Sequence, residues 1–337
     1  MKALVTATFH PSELARLRQW MEVEYEDWRA QHKIYFDGQE LAERIRRAGA
    51  NVLVVEADLV HDEVLDRTSL SLIAACRGDP INVAVSTATR KGIPVLYTPA
   101  RNARAVAELT VAYMLALARN IYPVNWLLKS GELRFRGAED YLATYQRYGG
   151  FELGGATVGL VGLGAIGRTV AEILRGFGTR VLAYDPYVAP EIFAALGAEP
   201  RGLDEMLPEL DFLSVHCPLQ PSTIGLIGRP QLARLPASAF VLNLARAEII
   251  DEDALYQALV SGHLGGAALD VFRDEPVQPD NRFVRLPNVL VSPHLGGATR
   301  DVVRHQSRMV VDDIERWLRG EQPRYLLNPE VWQQKSG

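Results

Sequence analysis

The sequence predicts an α/β fold of two doubly wound parallel-sheet domains, and three observations support this. Short apolar runs alternate with amphipathic helical patterns along the chain, as in consecutive βαβ units. The runs are apolar almost throughout, which is typical of strands that helices cover on both faces of a sheet. A length of 337 residues is more than one hydrophobic core usually serves, so two domains are expected.

The predicted strands form two groups, which two long helical patterns separate. The first group consists of KALVTAT, NVLVVEA, SLIAAC and PVLYTP; the second consists of TVGLVG, VLAYD, FLSVHC, FVLNLA, AALDVF and VLVSPH. One helix is predicted over 103–121 and another over 300–320. The chain therefore leaves its first domain and later returns to it. We expect a discontinuous domain of residues 1–103 and 300–337, with residues 104–299 inserted as the second domain.

Composition argues against several classes of function. The net charge is −5 and the charged residues of both signs are interspersed, so no nucleic-acid partner is expected. No apolar run reaches the roughly 18 residues of a membrane span, and the first residues do not resemble a secretory signal. Cys76 and Cys217 are far apart in the sequence, which favours a reducing compartment over a disulfide. A cytoplasmic protein that binds no membrane is expected.

Residues 159–170, GLVGLGAIGRTV, carry glycines at the spacing of a dinucleotide-binding loop. Gly162 would allow a tight turn, Gly164 would let a pyrophosphate approach, and Gly167 would let the following helix pack closely on the strand. Asp185 ends the next predicted strand, where a carboxylate can accept hydrogen bonds from the adenosine ribose. A 2′-phosphate would face the charge of Asp185. The loop therefore predicts a Rossmann domain that binds NAD rather than NADP.

Polar side chains follow the later strands of the same domain. Arg246, Asp270 and His294 each come after an apolar run, and Glu275 lies in the loop after Asp270. Ligands of open α/β sheets bind outside the carboxyl ends of the strands, so these residues could share one site. Three of these residues also have an ordinary explanation: Arg246 could pair with Glu248 or cap a strand at the surface, Glu275 could be a solvated loop acid, and His294 could be a buried, hydrogen-bonded histidine. The residues taken singly leave both interpretations open.

Several motifs, in one order and at one spacing, resemble the D-isomer-specific 2-hydroxyacid dehydrogenase family. They are GLGAIGR, YDPY, HCPLQPSTIGLI, LNLARAEIIDEDAL, GAALDVFRDEP and SPHLGGAT. The resemblance continues through KGIPVLYTPARNARAVAELTVAYMLALAR and covers most of residues 50–330. Two positions depart from the family pattern. Ala247 follows Arg246 where members usually have glycine, and the stretch CRGDPINVAVSTA replaces a G-x-D loop.

The resemblance implies an NAD-dependent enzyme that interconverts a D-2-hydroxy acid and its 2-oxo acid. Arg246 would bind the substrate carboxylate, His294 would exchange the proton, and Glu275 would orient His294 and favour its protonated form. Asp270 would accept a hydrogen bond from the nicotinamide carboxamide, and no metal ion is expected. The remaining residues expected to line the cofactor are Ala165, Ile166, Cys217, Pro218, Thr223 and Ala245.

The resemblance also implies a flavodoxin-like substrate domain at the two chain ends and a homodimer. The aromatic-rich segment 121–153 lies where the family has its dimerisation arm. Arg77 and Gly78, in the loop that departs from the family pattern, would lie over the substrate. Gly78 would let backbone N–H groups reach a carboxylate, and Arg77 is either an ordinary surface charge or the group that binds a second anion. A phosphorylated or sugar-derived acid, such as 3-phosphoglycerate or glycerate, is therefore an expected substrate type.

Two other functions stay open at this point. A formate or phosphite dehydrogenase could use the same scaffold. An NADH-sensing binding protein, similar to the C-terminal-binding corepressors, would keep Arg246, Glu275 and His294, so these three residues do not separate it from an enzyme. Such a binding protein is expected to carry long disordered extensions. Because the 337 residues show no such extensions, an enzyme is favoured.

Overall fold

A computed structural model describes residues 1–333, which form two compact units. Unit 1 consists of Met1–Asn102 and Thr299–Gly337, and unit 2 consists of Ala103–Ala298. The junctions expected from the sequence, at 103/104 and 299/300, lie one residue from these boundaries. In the described part of the chain, no helix combines the length and the apolar character needed to cross a membrane.

Each unit contains one sheet, and all strand pairs in both sheets are parallel. The strands of unit 1 are β1 (Lys2–Val5), β2 (Glu22–Tyr25), β3 (Val52–Val55), β4 (Leu72–Ala75) and β5 (Val95–Leu96). Those of unit 2 are β6 (Thr157–Val161), β7 (Arg180–Tyr184), β8 (Ala198–Pro200), β9 (Phe212–Val215), β10 (Phe240–Asn243), β11 (Gly266–Leu269) and β12 (Val289–Val291).

Helices connect these strands. They are α1 (Pro11–Leu17), α2 (Trp28–Gln31), α3 (Gly38–Ala48), α4 (Asp62–Asp66), α5 (Val85–Arg90), α6 (Ala103–Ala118), α7 (Ile121–Ser130), α8 (Ala138–Tyr148), α9 (Ala165–Arg175), α10 (Pro190–Leu196), α11 (Leu203–Met206), α12 (Arg229–Arg234), α13 (Glu252–Val260), α14 (Arg300–Leu318) and α15 (Glu330–Gln333). Short 3-10 turns occur at Leu207–Glu209 and Ala247–Ile249.

The strand orders confirm the predicted fold class. Unit 1 has the order β2-β1-β3-β4-β5, which is the flavodoxin-like order. Unit 2 has the order β12-β11-β10-β9-β6-β7-β8, which is the Rossmann order extended by one strand. The order of unit 2 reverses between β6 and β9. A doubly wound sheet binds ligands beyond the carboxyl ends of the strands at such a reversal.

Helices cover both faces of each sheet, as the apolar strands predict. In β3 the side chains of Val52 and Val54 lie in one apolar core, and those of Leu53 and Val55 lie in a second core on the other face. This alternation is the period-2 geometry of a strand, and it leaves no polar face on the strand. Burial of both faces is what made these strands visible in the sequence.

Three details differ from the sequence predictions. β2 and β8 were not predicted, because both are edge strands and their sequences, EVEY and AEP, lack a continuous apolar run. The helix predicted over 103–121 ends at Ala118, because Asn120 adopts a left-handed conformation with φ of 51° before α7 begins.

Candidate active site

The glycine loop joins β6 to α9, and its three glycines do different work. Gly162 has φ of +98°, and a Cβ there would lie 2.6 Å from the backbone nitrogen of Cys217. A Cβ on Gly167 would lie 2.2 Å from the carbonyl oxygen of Gly162. A Cβ on Gly164 would meet nothing within 4 Å. The protein's own packing therefore requires Gly162 and Gly167, whereas Gly164 borders open space.

The first turn of α9 points its free N–H groups at that open space. Gly164 is the N-cap of the helix, and the half-buried Ile166 follows the exposed Ala165 in the first turn. The first N–H groups of a helix have no partner within it, and they carry the positive end of the helix dipole. A pyrophosphate bound in front of Gly164 would receive these hydrogen bonds.

A cleft of about 180 Å³ lies beside this loop. Its lining includes five of the residues expected to contact the cofactor: Gly162, Asp185, Cys217, Pro218 and Thr223. The Asp185 carboxylate follows β7 and accepts hydrogen bonds from the backbone N–H groups of Leu163, at 2.8 Å, and Tyr187, at 3.0 Å. These two bonds fix the carboxylate at the rim of the cleft. Burial raises the pKa of the Cys217 thiol to about 11, so the cleft gains no second negative charge from Cys217.

His216 lies just behind the same loop, at the end of β9. Its side chain is buried, and its Nε2 lies 2.9 Å from the Ser214 hydroxyl oxygen. Burial lowers the pKa of His216 to about 4, so the ring is neutral at pH 7. It is a structural histidine and holds no proton to exchange in the neutral range.

The burial of His216 predicts a pH-dependent stability. In the unfolded chain the pKa of histidine is about 6.5, whereas in the folded chain that of His216 is about 4. Only the unfolded state gains this proton as the pH falls from 6.5 towards 4. The contribution is therefore complete above pH 6.5, and about 3 kcal/mol of the free energy of unfolding is lost as the pH falls to 4.

Urea denaturation at several pH values checks this expectation. The free energy of unfolding of His216→Gln should fall less steeply with pH than that of the wild-type protein. Parallel curves for the two proteins would mean that another group is responsible.

Arg246 lies beyond the carboxyl end of β10, on a turn fixed by a buried asparagine. The side chain of Asn243 donates to the Arg246 carbonyl at 2.9 Å and accepts from the Ala245 N–H at 3.1 Å. The guanidinium is exposed and donates to the Ala245 carbonyl at 2.7 Å. No carboxylate in residues 1–333 lies within 4.0 Å of it, so the pairing with Glu248 considered above does not occur. The Arg246 side chain is free to bind an anion.

Ala247 fits this turn without strain. It is buried at the start of a 3-10 turn and is not among the residues with positive φ. The glycine that family members usually have at this position is therefore not needed for the backbone of this chain.

His294 and Glu275 form a hydrogen-bonded pair. The His294 Nδ1 lies 2.8 Å from Glu275 Oε2, and Glu275 Oε1 accepts from the Phe272 N–H at 3.0 Å. Partial burial raises the pKa of the Glu275 carboxyl, but the His294 and Phe272 hydrogen bonds and the charge of Arg246 lower that pKa more, so it lies below its ordinary value. Glu275 is thus a carboxylate at neutral pH. It accepts a hydrogen bond from the Nδ1–H of His294 and leaves Nε2 of the half-exposed ring for a ligand.

Asp270 anchors the turn that carries His294. Its buried carboxylate accepts hydrogen bonds from the Ser292 hydroxyl and from the backbone N–H groups of Leu295 and Gly296, the latter two at 2.7 Å. This internal role of Asp270 was not predicted from the sequence. The expected bond from Asp270 to a nicotinamide carboxamide stays a prediction.

Arg77 and Gly78 belong to unit 1, where they follow β4. The Arg77 carbonyl accepts from the Thr98 N–H at 2.9 Å, and a Cβ on Gly78 would lie 3.6 Å from the Thr98 carbonyl oxygen. Among the described residues, nothing accepts a hydrogen bond from the Arg77 guanidinium or from the Gly78 N–H. These donors lie at the carboxyl end of the unit 1 sheet, where an open α/β sheet binds its ligand.

The known proteins that this chain resembles decide its family. Residues 111–296, more than half of the chain, match the model of the D-isomer specific 2-hydroxyacid dehydrogenase, NAD binding domain. The chain belongs to the D-isomer-specific 2-hydroxyacid dehydrogenase family. The resemblance read from the sequence motifs is thereby confirmed.

Relatives match well beyond that domain. A D-3-phosphoglycerate dehydrogenase of Methanocaldococcus jannaschii is 35% identical over 339 residues, which cover 100% of this chain and 61% of the relative. A glyoxylate reductase of Korarchaeum cryptofilum is 33% identical over 86% of each chain. The crystal structure of the TT0316 protein of Thermus thermophilus has a TM-score of 0.80 at 34% identity, over 97% of this chain and 100% of that one. The first two relatives carry the names of different activities, so membership of the 2-hydroxyacid dehydrogenase family does not identify the substrate.

Family membership makes this chain an NAD-dependent oxidoreductase, with its NAD-binding domain in unit 2. The residues present suit that cofactor. The open space at Gly164 faces a helix N-terminus, and the adjacent cleft places the Asp185 carboxylate where a ribose diol would bind. The part of the chain that the structure describes contains no group of three or more histidine, cysteine or acidic side chains arranged to hold a metal ion.

Proposed function

We propose that this dehydrogenase family member interconverts a D-2-hydroxy acid and its 2-oxo acid through Arg246, Glu275 and His294. The observation that carries the proposal is the 2.8 Å contact between His294 Nδ1 and an ionised Glu275. Such a contact fixes the tautomer and the orientation of the ring. A histidine held in this way, with Nε2 exposed, is suited to general acid–base catalysis.

The proposed mechanism divides the work among these residues. The glycine loop would hold the cofactor, which as NADH would supply the hydride for reduction at C2 and as NAD+ would accept it in oxidation. Arg246 binds the substrate carboxylate through its planar guanidinium. In reduction, His294 donates the Nε2 proton to the oxygen that becomes the hydroxyl, and Glu275 stabilises the imidazolium before that transfer. In oxidation, neutral His294 removes the hydroxyl proton.

Arg77 and Gly78 support an anionic substrate with a second anionic group. The free backbone N–H of Gly78 is suited to a carboxylate, and the free guanidinium of Arg77 is suited to a phosphate. We place both residues in the substrate site, and the substrate class we favour is a phosphorylated or sugar-derived acid. 3-Phosphoglycerate and glycerate are the examples to test first.

An NADH-oxidation screen over glyoxylate, pyruvate, hydroxypyruvate and 3-phosphohydroxypyruvate tests this proposal. Turnover of any of these acids supports the enzyme, whereas NADH binding without turnover on every acid would favour a binding protein. Arg77→Ala should raise the KM for the phosphorylated acid at least about tenfold, the loss of one charge-assisted contact, and should leave pyruvate unaffected. Arg47→Ala, an exposed arginine on α3, is the matched control. Equal wild-type rates on pyruvate and 3-phosphohydroxypyruvate would contradict the role of Arg77.

The arm formed by α7 and α8 supports a homodimer. Trp126, Leu142 and Tyr145 are 59%, 58% and 71% exposed, and a cavity of about 710 Å³ opens between the two helices. Exposed aromatic and aliphatic side chains clustered in this way mark protein–protein contact sites, and we propose that a second copy of the chain covers them. The cytoplasmic location proposed from the sequence is consistent with the cysteines, since Cys76 and Cys217 are both free.

Light scattering coupled to gel filtration tests the dimer. The wild-type protein should elute with twice the chain mass, and Tyr145→Glu should elute with the mass of one chain, because a charge at this position would be buried in the interface. Phe36→Glu, which changes an exposed aromatic residue of unit 1, should remain dimeric. A wild-type protein that is monomeric at micromolar concentration would contradict the proposal.

A further inference from the structure

A chain of three side chains extends from α6 to the turn that carries His294. The Tyr113 hydroxyl lies 2.5 Å from the Ser292 hydroxyl oxygen, and the Ser292 hydroxyl is hydrogen-bonded to Asp270 Oδ1. The direction of donation follows from the chemistry of the groups. The Asp270 carboxylate can only accept, so Ser292 uses its single proton there, and Tyr113 must donate to Ser292. Burial raises the pKa of Tyr113, which keeps the phenol protonated and able to donate.

The carboxylate at the end of this chain holds the backbone on both sides of His294. Asp270 binds the Ser292 hydroxyl, the Leu295 N–H and the Gly296 N–H through its side chain. Its own carbonyl also accepts from the His294 N–H at 2.9 Å. The segment 292–296 is therefore attached to one residue at four points.

These attachments matter because the backbone of His294 is strained. His294 has φ of 56°, a left-handed conformation that costs a non-glycine residue roughly 1 kcal/mol or more. Such a conformation persists only where the surroundings hold it. It also sets the direction of the imidazole, whose Nδ1 meets Glu275. If the turn relaxed, the ring would lose that alignment.

We propose that Tyr113 and Ser292 are positioning residues for His294, and that they act through Asp270 to hold the 292–296 turn in its strained conformation. The inference rests on the proposed role of His294 and adds residues that do not touch the substrate. The Tyr113 hydroxyl orients the Ser292 hydroxyl, Ser292 fixes the Asp270 carboxylate, and the carboxylate fixes the turn. Loss of the Tyr113 hydroxyl should therefore make the 292–296 turn less firmly held.

Tyr113→Phe is the variant that tests this series of hydrogen bonds, because it removes one hydroxyl and keeps the ring. We expect kcat to fall about tenfold through misplacement of His294, with KM and NADH affinity little changed. The pH profile of reduction should shift to lower pH, since a displaced His294 lies farther from the charge of Glu275. Backbone amide exchange at Leu295 and Gly296 should become faster. Tyr256 is a half-buried tyrosine of α13 whose hydroxyl makes no hydrogen bond to any described residue. Tyr256→Phe is therefore the control and should change none of these quantities.

A second set of variants at Ser292 separates positioning from a general loss of structure. Ser292→Ala should reproduce the effects of Tyr113→Phe. Ser292→Thr, which keeps a hydroxyl, should retain the wild-type kcat, pH profile and amide exchange. The double variant Tyr113→Phe, Ser292→Ala should be no worse than Ser292→Ala alone, because Tyr113 acts through Ser292. Additive losses of kcat, or unchanged amide exchange in Tyr113→Phe, would overturn the proposal. The exchange measurement does not depend on activity, so failure of this inference is distinct from failure of the catalytic assignment, which His294→Ala decides.

Discussion

Replacing His294 with alanine is expected to lower kcat by about 100- to 10,000-fold, the usual range for loss of a general acid–base group. The reason is that Nε2 of His294 is the proposed proton donor and no other titratable group of unit 2 is hydrogen-bonded to Glu275 in the described structure. NADH affinity should change little, because the glycine loop and Asp185 are untouched. Steady-state NADH oxidation and fluorescence titration of NADH measure the two quantities. Near wild-type turnover in this variant would contradict the assignment of His294 as the general acid–base group.

Glu275→Gln is the graded companion to that variant. The amide can still hydrogen-bond His294 but carries no charge, so the pH profile of reduction should shift to lower pH while some activity remains. Because the pKa of Glu275 lies below its ordinary value of 4.5, the wild-type carboxylate stays ionised as the pH falls from neutrality to that value. Protonation of Glu275 therefore should not limit wild-type activity above pH 4.5. An unshifted profile in Glu275→Gln would show that its charge does not act on His294.

Replacing Gly164 with alanine is expected to weaken NADH binding about 10- to 100-fold while lowering the free energy of unfolding by no more than about 1 kcal/mol, the cost of alanine at a helix N-cap. The added Cβ meets no protein atom within 4 Å, and φ at this position is −70°, which alanine adopts readily. The methyl group would instead occupy the space in front of α9, and the loss of one charge-assisted hydrogen bond between the pyrophosphate and the helix N-terminus costs about 1.5–3 kcal/mol, or roughly 10- to 100-fold in affinity. NADH titration and thermal unfolding give the two readouts.

Two other glycines provide comparisons for Gly164→Ala: Gly162 in the same loop and Gly137 at the start of α8. Gly162→Ala should lower stability itself, because φ is +98° and the Cβ would meet the backbone of Cys217. Gly137→Ala places a Cβ in open space at the N-cap of α8, so its small loss of stability should match that of Gly164→Ala, whereas its NADH affinity should equal that of the wild-type protein. If Gly164→Ala bound NADH as tightly as Gly137→Ala, the pyrophosphate could not lie where we place it.

The sequence predicted most of the fold because burial leaves a visible pattern. Ten apolar runs correspond to ten strands, including the edge strands β5 and β12. β2 and β8 were missed because their sequences, EVEY and AEP, contain no continuous apolar run. The Rossmann domain was predictable from Gly162 and Gly167, whose backbone positions tolerate no side chain. In these cases packing restricts the residue type strongly.

The site was only partly predictable. The predicted strands alone did not decide whether Arg246, Glu275 and His294 are functional. The resemblance of the surrounding motifs to those of the family singled these residues out. Tyr113 could not have been found, because one polar atom on an apolar helix meets a partner 179 residues away. Ser292 was within reach, since a hydroxyl next to a predicted active-site histidine invites the question of what it bonds. The substrate stays open because Arg77 and Gly78 lie in a loop whose sequence departs from the family pattern.

The insertion of unit 2 into unit 1 has a consequence for how the chain folds. The core of unit 1 needs α14, whose Val310 and Ile314 pack with Ala3 and Val5 of β1 from the far end of the chain. Such contacts have very high contact order, and closing so long a loop of unfolded chain is slow. Unit 2 is continuous, and its two ends meet: a Cβ on Gly296 would lie 3.3 Å from Val106. Once unit 2 has folded, it holds the two segments of unit 1 close together. The loop that unit 1 must close is then short, so we expect unit 2 to speed the folding of unit 1.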